Sequence, residues 1–160
     1  MTFRRICFAT VSLVTVLLVG AQPASARDLP TGGLTRPEVI NWLSAQGIQA
    51  TRQNDSNGAD ILKASVNGVN FDVYFYDCTA DRCRSIQFAA GWSGIQSINV
   101  QRLNDWNKDH RFIRAYLTPE SYAFGEYDLV VSPGGTWEEL NHALVNWRDM
   151  IVSFKTYILQ

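Results

Sequence analysis

The chain reads as an α+β domain: an antiparallel five-stranded sheet with helices on one face, in the order α-βββ-α-ββ-α. Three observations predict it. Asn67-Gly68 stands between two alternating apolar runs, the signal of a two-residue hairpin. Thr35 with Glu38 and Thr136 with Glu139 are capping boxes that open segments of helical period. The strands fall in antiparallel runs with helices between them, so the helices must share one sheet face to close a two-layer core.

The first residues are a targeting segment. Arg4 and Arg5 precede an apolar run from Ile6 to Gly20, and Ala24-Ser25-Ala26 is a small-x-small cleavage site. The prediction is a cleaved signal peptide over 1–26, cut between Ala26 and Arg27, on the general secretory route. The run of about 15 residues is short for the roughly 30 Å hydrocarbon layer. Cys7 stands at the front of the run and not behind it, so it is no lipid-attachment cysteine. The expected location is periplasmic or secreted.

Removing the leader takes Arg4 and Arg5 and no acid. The 14 basic and 15 acidic residues become 12 and 15, a net charge of about −3. No basic stripe remains, which argues against nucleic acid as a partner. No second long apolar run follows, so no membrane span is expected after cleavage.

Residues 27–33, with Pro30 and Gly32-Gly33, read as a flexible lead-in to a single domain over 34–160. Thr35 caps a first helix over Arg36 to Gln46. Pro37 sits in its first turn, where a missing N–H costs little, and Val39, Ile40 and Leu43 form its apolar stripe. Gly47 stops it. Ile48 to Gln53 reads as a short extended piece, and Asn54 to Gly58 as a loop by composition.

Pairing outward from Asn67-Gly68 sets Val66 opposite Val69, Ala64 opposite Phe71 and Leu62 opposite Val73. With Phe75 these lie on one face, and Lys63 meets Asp72 on the other as a cross-strand ion pair. A one-residue slip would scatter the pattern. If Cys78 faces Cys83 in a second hairpin, Phe75 meets Ile86 and Val73 meets Phe88, and the apolar face continues in phase. Two thiols in an exported chain with no third read as a disulfide.

A second helix is expected from Gln96 to Lys108, with Val100, Leu103 and Trp106 on its buried side. Strand four follows over Arg111 to Leu117, a Thr118-Pro119 turn, and strand five over Tyr122 to Val131. The last helix opens at Thr136. Trp137, Leu140, Leu144, Trp147, Ile151, Phe154 and Ile158 recur three and four apart, a seam that reads as core.

The block Asn104-x-Trp106-Asn107, then Arg111-Phe112-x-Arg114-Ala115-Tyr116-Leu117, resembles the YbjN domain family. The strand end Tyr74-Phe75-Tyr76-Asp77-Cys78, the following Cys83, Asp128-Leu129 and the final capped helix fit the same pattern, over roughly Leu34 to Phe154. The resemblance implies a fold like that of class I type III secretion chaperones, a frequent dimeric state and a label of bacterial sensory-transduction regulator. It brings no catalytic residues. Export sets this chain apart from a chaperone that works in the cytoplasm.

No Gly-x-Ser-x-Gly, phosphate loop or His-Glu-x-x-His is present. His110 and His142 have no ligand-spaced partner, so no metal, cofactor or catalytic residue is expected. The binding candidates are Tyr74 and Tyr76, with Ile61, on the sheet face away from the core, and Asn104, Asn107 and Arg111 where the second helix meets the strand. These last three read either as a polar binding cluster or as ties from helix to strand. Arg114 reads as a solvated residue. The expected function is a non-enzymatic binding or chaperone-like module of the bacterial cell envelope, regulatory in role, gripping a peptide or protein partner, with a homodimer as its assembly. The alternatives are an envelope enzyme built on Asp105, His110 and Arg111, and a sensor working through the Cys78 and Cys83 thiols.

Overall fold

A computed structural model of the chain describes residues 26–160. The expected leader over 1–26, Ala26 apart, lies outside the described residues. The elements are α1 (Arg36–Ala45), β1 (Ala50–Asn54), β2 (Asp60–Val66), β3 (Val69–Thr79), β4 (Arg82–Trp92), α2 (Val100–Asp109), β5 (Arg114–Leu117), β6 (Ala123–Val130) and α3 (Trp137–Leu159). The sheet has six strands in the order β1-β2-β3-β4-β6-β5, every neighbour antiparallel.

Six strands replace the expected five, and the order becomes α-ββββ-α-ββ-α. The added strand is β1. Its residues Thr51 to Asn54 are all exposed and carry no apolar alternation, so only pairing with Asp60–Ala64 of β2 defines it. An edge strand can be polar on both faces because its partner supplies the order that a core face would otherwise supply.

The hairpins fall in the expected register. Val66 pairs with Val69, Ala64 with Phe71, Leu62 with Val73, and Lys63 with Asp72. Lys63 Nζ lies 2.8 Å from Asp72 Oδ1. In the next hairpin Phe75 meets Ile86, Val73 meets Phe88 and Cys78 meets Cys83. The two sulfurs are bonded across the ladder. So small a ring limits the entropy the bond removes from the unfolded chain, about 2 kcal/mol in the chain-entropy model.

All three helices pack on the face that carries Leu62, Phe71, Val73, Ile86 and Phe88. Trp42 of α1 stacks on Phe88, Trp147 of α3 meets both Phe71 and Phe88, and Trp106 of α2 meets Phe154 of α3. The α3 seam is buried at Leu140, Leu144, Trp147, Ile151, Phe154 and Ile158. Both capping boxes are formed. Gly125 lets Phe154 lie on the sheet, since a Cβ there would come within 2.9 Å of that ring. Among the described residues no helix is long and apolar enough to cross a membrane.

Two details depart from expectation in this layer. Helix α2 starts at Val100 and not at Gln96, because Asn99 caps it by accepting from the Arg102 N–H. Val100 is then a first-turn residue and is 60% exposed; Ile98, just before the cap, takes the buried place. The lead-in 27–33 is also tied to the domain. Leu29 is buried and its N–H donates to Gly135 O, while Leu34 exchanges both backbone bonds with Cys83. Gly33 permits that approach, because its φ is +99° and a Cβ would fall 1.9 Å from the Cys83 carbonyl oxygen.

Candidate binding face

Strand alternation that sends Phe71, Val73 and Phe75 inward sends Asp72, Tyr74 and Tyr76 to the opposite face of the sheet. Sheet order then sets β4 and β6 beside them. Gln87 pairs with Tyr74 on one side and Asp128 on the other, and Glu126 of β6 pairs with Arg114 of β5. Residues far apart in the chain thus form one continuous strip from Tyr74 to Tyr116.

Glu126 is the anchor of the strip. It is 8% exposed, which a carboxylate tolerates only with charge and hydrogen bonds around it. The Arg114 guanidinium bonds its Oε2, the Tyr116 hydroxyl donates to Oε1 at 2.6 Å, and Gln87 Nε2 approaches Oε2 at 3.4 Å. Gln87 Nε2 also donates to Asp128 Oδ1 at 2.7 Å, and its Oε1 accepts from the Tyr76 hydroxyl at 3.2 Å. Arg114 reaches Asp128 Oδ2 only at 3.8 Å. Two carboxylates therefore share one guanidinium, and Asp128, 59% exposed at its side chain, is the less compensated of the two.

The aromatic rings line up on the same face. Tyr74 stacks on Tyr76 with ring centroids 6.5 Å apart, and Tyr116 on Phe124 at 5.6 Å, with Tyr122 next in line. Burial pushes the Tyr74 hydroxyl up to about 12, aided by Asp72 and Asp55. Tyr76 is raised by burial first, then by Glu126 and Asp128. Tyr116 is raised by burial and by its bond to Glu126. All three are neutral phenols at any physiological pH, standing in a negative field. Tyr76, Ser85, Gln87, Asp128, Leu129 and Val130 line an open depression of about 430 Å³. Tyr76 is 47% exposed and Val130 75%, so its rim is apolar and uncovered.

Ile61 does not belong to this surface. It is 1% exposed, flanked in the ladder by Gln53 of β1, and so offers no side chain to a partner. Arg114, read from sequence as a solvated residue, is exposed, and its guanidinium is also the counter-ion of Glu126. Alternation gave its phase correctly, but the register across the β5–β6 turn that sets Glu126 beside it was not read from the sequence.

The other candidates go elsewhere. Asn107 ties helix to strand: its Nδ2 donates to Ala115 O at 2.9 Å and its Oδ1 accepts from Ala115 N at 2.8 Å. Asn104 is exposed on α2, and the Arg111 guanidinium lies over Phe112. These three form no shared binding cluster. Asp105, His110 and Arg111 also fail to converge. Asp105 accepts from Gln101, His110 stacks on Trp106 at 3.6 Å, and Arg111 is exposed. Among the described residues no three His, Cys, Asp or Glu side chains are grouped to hold a metal ion. Cys83 is fully buried against Leu34 while Cys78 is exposed, which fits a bond that pins the hairpin tip.

The tip is fastened further at α1. Arg82 forks onto Glu38 at 3.1 and 2.9 Å and donates to Gly33 O at 2.7 Å. Burial raises the Glu38 carboxyl, but Arg82 and the Thr35 bonds outweigh it and hold it below its usual range. Glu38 thus serves both the capping box and the hairpin.

The family model for YbjN, described as "Putative bacterial sensory transduction regulator", matches residues 35–160. No curated protein matches the chain.

Proposed function

The chain belongs to the YbjN family, whose description is that of a regulator and not of an enzyme, and from that premise we propose that it is a non-enzymatic binding module of the bacterial cell envelope that grips a basic segment of a peptide or protein partner. The observation that carries the reading is the strip of stacked tyrosines beside the shared carboxylates of Glu126 and Asp128. A neutral phenol face attracts a cation through its ring quadrupole, and an undercompensated carboxylate beside it adds a charge-assisted hydrogen bond. A lysine or arginine of the partner would lay its stem along Tyr76 and Val130 and bring its charge to Asp128. The partner's apolar residues would cover the second aromatic group, Tyr116, Phe124 and Tyr122, farther along the same face. The leader over 1–26 delivers the chain to the envelope, and the arrangement of sheet and helices is of the type III secretion chaperone kind, with two copies associating.

The test is binding of synthetic peptides to the protein, followed by amide shifts or calorimetry. Peptides rich in Arg or Lys with an aromatic or aliphatic neighbour should bind, weakening as salt is raised. Tyr76→Ala and Asp128→Asn should each reduce affinity several-fold while the fold persists. Equal affinity for acidic peptides, or no loss in either variant, would refute the reading. Crosslinking in envelope extracts then identifies the natural partner, and light scattering reads the oligomeric state.

A further inference from the structure

The segment before α1 ends in a specific seat for its first residue. Asp28 pairs with Thr136 as an antiparallel bridge, and the Leu29 N–H donates to Gly135 O at 2.8 Å. The Trp137 N–H donates to Arg27 O at 3.0 Å, and the Arg27 guanidinium lies 5.1 Å over the Trp137 ring. The backbone nitrogen of Arg27 itself donates to Glu138 Oε2 at 3.0 Å. Of the two acids in the first turn of α3, Glu139 is committed to the Thr136 cap. Glu138 is left facing Arg27.

We propose that Glu138 is the docking site for the mature α-amino terminus that cleavage between Ala26 and Arg27 creates. The inference rests on the leader being cut there. Hydrolysis breaks the Ala26 carbonyl–Arg27 nitrogen bond and adds one water, leaving a carboxylate on Ala26 and an ammonium on Arg27. In the uncut chain the seated nitrogen is a neutral amide with one hydrogen. After the cut it is a cation with three, already within hydrogen-bond distance of a carboxylate. The same geometry thus converts an ordinary hydrogen bond into an ion pair, and the domain is more stable after maturation than before it. The positive end of the α3 dipole opposes a cation there, and Glu138 and Glu139 in the first turn offset it. The other charges around the seat are the Arg27 guanidinium on Trp137, Asp28 beside it, and Glu38 across the groove that α1 and α3 share.

An α-amino group paired in the fold titrates above its ordinary value of about 8. Its contribution to stability is then complete below that value and is lost as pH rises through the folded value. The experiment exports the full chain, sequences the first residue of the product, and follows the α-amino group by NMR across pH. The result expected is a chain that begins at Arg27, an α-amino pKa above 8 that falls back in Glu138→Gln, and a higher melting temperature for the cleaved form than for the uncut chain. That melting difference should shrink in Glu138→Gln. A first residue other than Arg27 overturns the cleavage site. An unshifted α-amino group on a chain that does begin at Arg27, or a shift unchanged by Glu138→Gln, overturns the docking.

Discussion

Glu126 is the residue on which the outer face turns. Its carboxylate is buried only because Arg114, Tyr116 and Gln87 surround it. Replacing Arg114 by Ala leaves that charge short of its partner, which costs about 1–3 kcal/mol. Glu126→Gln removes the charge but keeps an acceptor for Tyr116, so the double variant should lose less than the two single losses combined. Denaturant unfolding of the four proteins measures the difference; strict additivity would mean that the pair is not coupled. Glu38 makes a different demand. Its folded pKa is lowered, net, so its contribution is present above its unfolded value and is lost as pH falls through the folded one. Acid unfolding of Glu38→Gln should therefore show a shallower loss of stability below about pH 4.5 than the parent chain.

At the scale of elements, the edge strand β5 is only four residues long and faces outward. Asn107 occupies it as a neighbouring strand would, giving and taking one bond at Ala115. This protects an edge that would otherwise pair with another chain. Asn107→Ala should cost about 1–3 kcal/mol, because both Ala115 backbone groups lose their partner. It should also increase self-association in sedimentation or light scattering. The Asn-Trp-Asn to Arg-Phe block that signals the family in the sequence is thus, at Asn107, a structural clasp. The second hairpin makes the complementary point. Its tip is held three ways: by the Cys78–Cys83 bond, by the Leu34 bridge and by the Arg82 fork onto Glu38. The strand that bears Tyr74 and Tyr76 is therefore fixed at its end and presents its rings from a rigid element.

The molecule as a whole is a sheet with one oily side and one wet, aromatic side. Trp147 lies at the centre of the oily side, fully buried between Phe71 and Phe88, and its indole N–H has no partner. It contributes shape and area and not a hydrogen bond. Trp147→Ala should cost about 3–5 kcal/mol by opening a cavity beside Phe71 and Phe88. Thermal or denaturant unfolding checks this, and a loss under 1 kcal/mol would mean that the core collapses onto the gap. The wet side has no comparable internal reason to carry Tyr74, Tyr76, Tyr122 and Phe124 in a row.

The sequence by itself determined what local rules and strict periods can carry. Two capping boxes, an Asn-Gly turn and period-two alternation defined the first and last helices, the register of the β2–β3 and β3–β4 hairpins and the meeting of Cys78 with Cys83. Each of these depends on neighbours in the chain or on partners across one short turn. The tertiary structure alone decided the rest. The polar strand β1 exists through its pairing with β2. Ile61 is buried on the outer face, and Arg114 meets Glu126 across the β5–β6 hairpin. The crossover that brings β6 beside β4 assembles Tyr76, Gln87, Glu126 and Asp128 into one surface. The β4–β6 pairing joins strands separated by a whole helix and carries no periodic trace in the sequence, because its energy comes from one specific juxtaposition and not from a repeated pattern.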